Sequence, residues 1–224
     1  FLSNFENTKN ILNLKADLNN YLSINFDKTY KVKNYEYKTN GKIYKANLNF
    51  ENSIKNNFLK ENITDIFLEN SEIKTTINSK KNITNISGKY SLNNDSYQNF
   101  NLESIIDKKD LNLKLNADFN RKLEFDLINY HKPKNVIANI TLNLKKRDHN
   151  YKVHELVLKD KENSIIINDL EIYKGNFSSI KKMKVKTSNN NFTISYGKKI
   201  IIKGDSFDAT KFFKFVKEKR KKNI

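Results

Sequence analysis

From Leu111 to Leu127 apolar and polar residues take turns. Leu111, Leu113, Leu115, Ala117 and Phe119 alternate with Asn112, Lys114, Asn116 and Asp118; after Asn120-Arg121 the pattern resumes with Leu123, Phe125 and Leu127. A period of two puts one set on one face of a sheet and the other set on the reverse. The alternation recurs along most of the chain. It is seen in Leu12-Leu14-Ala16-Leu18, Tyr44-Ala46-Leu48-Phe50, Ile73-Thr75-Ile77, Ile86-Gly88-Tyr90-Leu92 and Phe100-Leu102. It returns in Val136-Ala138-Ile140-Leu142-Leu144, Tyr151-Val153, Leu156-Leu158, Ile165-Ile167, Leu170-Ile172, Met183-Val185, Phe192-Ile194-Tyr196 and Ile200-Ile202. The slip of phase between Val153 and Leu156 predicts a β-bulge. Asn40-Gly41, between two alternating runs, reads as a hairpin turn because both residues tolerate positive φ.

About a dozen short strands result, over roughly residues 10–204, joined by turns rich in Asn, Asp, Lys and Gly. Short connections predict antiparallel neighbours and a meander, and no βαβ rhythm is present. Residues 10–22 suit either strand or helix, and 52–62 either a short helix or a loop. One helix is predicted, over about 206–219. Ala209, Phe212, Phe213 and Val216 fall on one face, Asp205 or Ser206 can cap it, and basic residues close it in keeping with the helix dipole. Its apolar stripe is expected to cover one end of the sheet.

Twelve strands at about 4.8 Å spacing and about 20 Å length present an apolar face on the order of 1,100 Å². Soluble monomers rarely leave more than a few hundred Å² of such surface open, and one short helix cannot cover the rest. Three solutions remain: a sandwich of two sheets, a barrel, or a trough around something apolar. A lipid-facing barrel is disfavoured by the absence of Trp, by short strands and by aromatic residues that do not gather at strand ends.

Composition changes this picture little. The 224 residues carry 42 Lys and Arg against 25 Asp and Glu, a formal charge of +17. Only Arg121, Arg147 and Arg220 are arginines, the residue favoured for bidentate phosphate and base contacts, and the lysines are spread over nearly every strand, so no nucleic-acid partner is expected. The excess of Lys, Asn and Ile is the imprint of AT-rich codon usage, which also makes the sequons at Asn62, Asn82, Asn85 and Asn139 expected by chance. There is no Cys, hence no disulfide framework. No run is apolar enough for a transmembrane helix and no signal peptide is visible. The chain begins at Phe1, and we expect it to be part of a longer protein. His131, His149 and His154 read as solvated surface groups rather than metal ligands. With no phosphate loop, paired-carboxylate signature or nucleophile elbow, neither an enzyme nor a cofactor is predicted.

The C-terminal hundred residues, from "YKVHELVLKD" through "NNFTISYGKKIIIKGDSFDATKFFKFV", resemble a segment of the bacterial AsmA-like proteins of the YhdP kind. The match includes paired strands and then a turn into a short helix at Gly204, Phe207, Asp208 and Ala209. "YKVKNYEYKTNGKIYKANLNF" resembles an upstream strand pair of the same family. The resemblance covers about half the chain. It implies a long, taco-like β-groove with an apolar interior, in an envelope protein anchored in the inner membrane and extending through the periplasm. It also implies a role in phospholipid movement between the inner and outer membranes.

The two lines together predict a mainly β chain, a long antiparallel meander curled into an open groove with one short C-terminal helix. Residues 1–224 form a single section of that groove. Its lining is expected from Leu111, Leu113, Leu115, Leu123, Phe125, Leu127, Val136, Ala138, Ile140, Leu142 and Leu144. Gly204, Phe207, Asp208 and Ala209 are read as a structural helix cap. The expected partners are phospholipid acyl chains and neighbouring groove segments of the same protein. A closed β-sandwich of structural or adhesin-like character is the alternative.

Overall fold

The computed structural model describes residues 10–54, 59, 61–196 and 199–208. Twelve strands form one antiparallel sheet in which each strand lies beside its neighbours in chain order. They are β1 (Asn10–Phe26), β2 (Val32–Ile54), β3 (Ile63–Asn78), β4 (Lys81–Leu92), β5 (Gln98–Asp107) and β6 (Asp110–Phe119). After an insertion follow β9 (Ala138–Arg147), β10 (Asn150–Lys159), β11 (Ser164–Tyr173), β12 (Asn176–Lys186), β13 (Asn191–Tyr196) and β14 (Ile200–Ser206). The insertion is a ribbon of β7 (Leu123–Phe125), one 3-10 turn and β8 (Tyr130–Lys132). The sheet does not close into a barrel: β1 and β14 are its two edges. Connections are tight, as at Lys174-Gly175, where both residues have positive φ (49° and 78°), the backbone a two-residue hairpin turn requires.

The strands are longer than the alternation predicts, up to 23 residues in β2. The expected hairpin at Asn40-Gly41 is overturned. Both residues lie inside β2, where Gly41 pairs with Leu18 of β1 and Ile73 of β3. A Cβ on Gly41 would sit 2.0 Å from the Asp17 carbonyl oxygen. Glycine therefore stands here because a neighbouring backbone comes close, not because the chain turns. Residues 10–22 are strand, and Asn52–Ile54 continue β2 rather than opening a helix. The predicted bulge is present: the β9–β10 register shifts between Val153 and Glu155.

The chain leaves the sheet after β6, and the β7–β8 ribbon returns over the apolar face. Leu123, Ile128 and Tyr130 share a buried cluster with Ala138, Leu158, Ile165, Val185 and Phe192 of the sheet. A second cluster joins Phe50, Ile54 and Ile63, and Leu59 and Leu92 pack against both. Each large side chain so buried contributes about 1.5–3 kcal/mol. At this end the ribbon covers the sheet; the cover expected of the C-terminal helix falls on residues outside those described. Ala209, Phe212, Phe213 and Val216 lie outside the described residues. Asp205 and Ser206, expected as helix caps, belong to β14, which runs two residues past the predicted strand end. Asp205 accepts a hydrogen bond from Asn191 (2.7 Å).

Candidate functional site: an apolar row across the whole sheet

Register brings the inward residues of twelve strands into one line. Leu18, Gly41, Ile73 and Ile86 pair in turn from β1 to β4. Leu102, Leu115, Leu142 and Leu156 continue from β5 through β10. Ile167, Met183, Ile194 and Ile202 complete the line to β14. Eleven gaps of about 4.8 Å make it about 53 Å long. Its ten inner members are only half-buried, and Leu18 and Ile202 at the edges are exposed. The neighbouring row, nearer the ribbon, holds Ala117, Leu158, Ile165, Val185 and Phe192, all buried, with half-buried Ile140 between the first two. The apolar face thus has a sealed side and a half-open side.

The reverse face is polar because the intervening residues are. One residue along from the apolar row run Asp17, Lys42, Glu72, Ser87, Asn101, Asn116 and Thr141. After the pair Val157–Ile166 come Lys184, Thr193 and Lys203. Cross-strand contacts there are hydrophilic, including Lys114 with Glu103 (3.4 Å) and Asn116 with Thr141 (3.2 Å). Arg147 donates two hydrogen bonds to Asp110 and holds that carboxyl down to about 2.

The structure brings together some of the expected lining and separates the rest. Leu113 pairs with Leu144, Leu115 with Leu142, and Ala117 with Ile140, while Ala138 faces Phe119. Leu111, on the same face, pairs with Lys146. Leu123 and Phe125 are not on the sheet. They belong to β7, part of the ribbon that covers it. Leu127 falls in the 3-10 turn, and Val136 precedes β9 in a loop. The physical reason is Asn120-Arg121, which starts a separate ribbon rather than the next strand of the sheet. The rest of the row was missed because its alignment depends on cross-strand register, of which alternation within a strand carries no trace.

Polar anchors hold the ribbon down. Lys132 is 1% exposed. Its Nζ donates to the carbonyls of Val136 (2.5 Å) and Pro133 (3.2 Å) and lies 5.6 Å from the centre of the Phe119 ring. Burial pushes this ammonium down to about 8, against the opposing charge of Asp160. Tyr130 donates to Asp160 (2.8 Å), and burial together with that bond pushes the phenol up. Burial alone would raise Asp160, but hydrogen bonds from Tyr130, Asn163 and Glu162 outweigh it and hold the carboxyl below its ordinary value. Arg121, also buried, donates to Glu61 (2.7 Å) and to the Leu92 carbonyl (2.6 Å) and pairs with Asp95 (3.2 Å).

The cap residues end the sheet. Gly204 faces Phe192, and a Cβ there would lie 2.2 Å from the Asn191 carbonyl oxygen. Phe207 packs edge-on against Phe192, centroids 4.9 Å apart. The Asp208 backbone N–H donates to Asn190, and its carboxylate accepts from Asn129, both at 2.8 Å. Ala209 lies outside the described residues.

Among the described residues no three His, Asp or Glu side chains gather as a metal site requires; His154 stands beside Asp169 (3.5 Å). No helix among them is long and apolar enough to cross a membrane. No family model, curated protein or solved structure matches this chain.

Proposed function

We propose that this chain is a non-enzymatic section of an apolar conduit that holds phospholipid acyl chains in transit between the inner and outer membranes. The observation that carries the reading is the apolar row, which has an apolar side chain from eleven of the twelve strands, with Gly41 standing in β2, and is only half-buried between its exposed ends. A row of this length left to water is costly, and a mobile acyl chain covers it without specific contacts, each buried CH₂ contributing about 0.8 kcal/mol. Head groups stay in water on the half-open side. The resemblance of the C-terminal hundred residues to AsmA-like proteins agrees with this reading. On that resemblance the section would lie in the periplasm, within a protein anchored in the inner membrane. A sealed sandwich is the rival. It would place a second sheet over the row, whereas the described residues supply only the short ribbon, at one side. Native mass spectrometry of the chain purified from membranes, with extraction of what is bound, tests the proposal. Phospholipid in constant stoichiometry supports it, and a clean unliganded mass in repeated preparations would overturn it.

A further inference from the structure

We propose that the outer edge of β1 is a self-association surface, pairing antiparallel with β1 of a second copy so that the two sheets become one. The described residues place no strand against this edge. From Asn13 to Asn19, the stretch that can pair with itself about Ala16, the pairing of β1 with β2 omits no β1 residue, the register slip between Lys15 and Ala16 being taken up on the β2 side, and those seven residues make an edge about 23 Å long. Proteins blunt such edges with Pro, bulges, short strands or several charges. β14, the opposite edge, has seven residues including Lys203, Gly204 and Asp205. β1 has no Pro or Gly, and Lys15 and Asp17 are its only charges. Leu14, Tyr21 and Leu22 stand more than half exposed along it.

The two charges choose the partner and the register. Among the described residues neither is within ion-pair distance of a partner; across β2 Lys15 faces a like charge, Lys45, and Asp17 faces Lys42. An antiparallel pair centred on Ala16 sets Lys15 opposite Asp17 of the second copy, and the reverse contact is made at the same time. It also sets Leu14 against Leu18 twice on the other face. Directly opposed side chains of opposite charge and opposed aliphatic pairs are the contacts that stabilise antiparallel neighbours. An isologous interface of this kind closes on itself at two copies. Because opposed residues share a face, the apolar row ending at Leu18 would run on into the second copy.

The experiment uses the whole chain at physiological ionic strength. Sedimentation velocity over a concentration series should show a species of twice 26.4 kDa. Asp17→Lys should raise the dissociation constant at least tenfold with the circular dichroism spectrum unchanged, and adding Lys15→Asp to it should restore association. The natural chain has no cysteine, so an Ala16→Cys variant reports the register alone. Opposed residues lie about 4.5–5.5 Å apart between Cα atoms, within the span of a disulfide. Mild oxidation should therefore link the copies, while Ile137→Cys, in an exposed loop, should not. A monomer at every concentration overturns the proposal. So does a dimer indifferent to Asp17→Lys, a charge swap that fails to restore association, or an Ala16→Cys variant that does not cross-link.

Discussion

Lys132 offers a quantitative test of how the ribbon is seated on the sheet. Its ammonium is buried, with its pKa down to about 8 from 10.5. For a base whose folded pKa is depressed, the unfolded chain binds more protons between those two values, so stability rises with pH across that window. Below pH 8 both states are charged and the full cost of burying the charge is present. Raising the pH from 7 to 9.5 should return about 2 kcal/mol, at about 1.4 kcal/mol per unit above the folded pKa. Tyr130 and Tyr90, the latter pushed up to about 12 by burial and the charge of Asp118, act in the opposite sense. Their folded pKa values are raised, so their loss sets in mainly above pH 10, and it is common to wild type and variant. The assay is urea unfolding of wild type and Lys132→Met at pH 7 and pH 9.5. The stability difference between them should move by about 2 kcal/mol in favour of the wild type at the higher pH. A difference independent of pH would mean that Nζ is solvated and the ribbon is not packed as described.

Gly88→Ala would place a Cβ 2.3 Å from Ser71 Oγ and 2.5 Å from its Cα; we expect a loss of about 3 kcal/mol by thermal unfolding. Gly175→Ala, at positive φ but with nothing within 4 Å, should cost only about 1–2 kcal/mol, and equal losses would contradict the close approach of β3 and β4. Arg121→Met takes the partner from Glu61 and the donor from the Leu92 carbonyl, while Asp95 keeps Lys134 at 2.9 Å. It should cost about 1–3 kcal/mol in urea unfolding, and no measurable loss would show that this arginine does not hold the region together.

Alternation was enough to read the meander, the polar reverse face and the bulge near Val153, because each follows from the period of two within a strand. It misled where a glycine serves a neighbour rather than its own strand. Gly41 carries the same local signature as a turn glycine, and only the Asp17 carbonyl beside it explains its presence. It also misled between Arg121 and Lys132. Leu123 and Phe125 keep the phase of β6, yet they lie on the opposite side of the apolar layer, covering it. Phase records which face of its own strand a residue occupies, not which sheet that strand joins. The full row from Leu18 to Ile202 depends on eleven registers, each set by turn length and bulges, and none of these is visible in the hydrophobic pattern.

The most direct test of the conduit is a photo-crosslinking side chain at Leu115 or Leu142, adjacent half-buried members of the apolar row. The same probe at Lys114 or Asn116, exposed on the polar reverse, serves as the control. An apolar probe slightly larger than Leu costs about 1–3 kcal/mol where packing is tight and less on a half-open face, so the fold should survive. Irradiation in the membrane-bearing cell should yield phospholipid adducts at Leu115 and Leu142 and none at Lys114 or Asn116, read by intact mass. Adducts to protein alone at Leu115 and Leu142 would contradict the conduit and favour a sealed core.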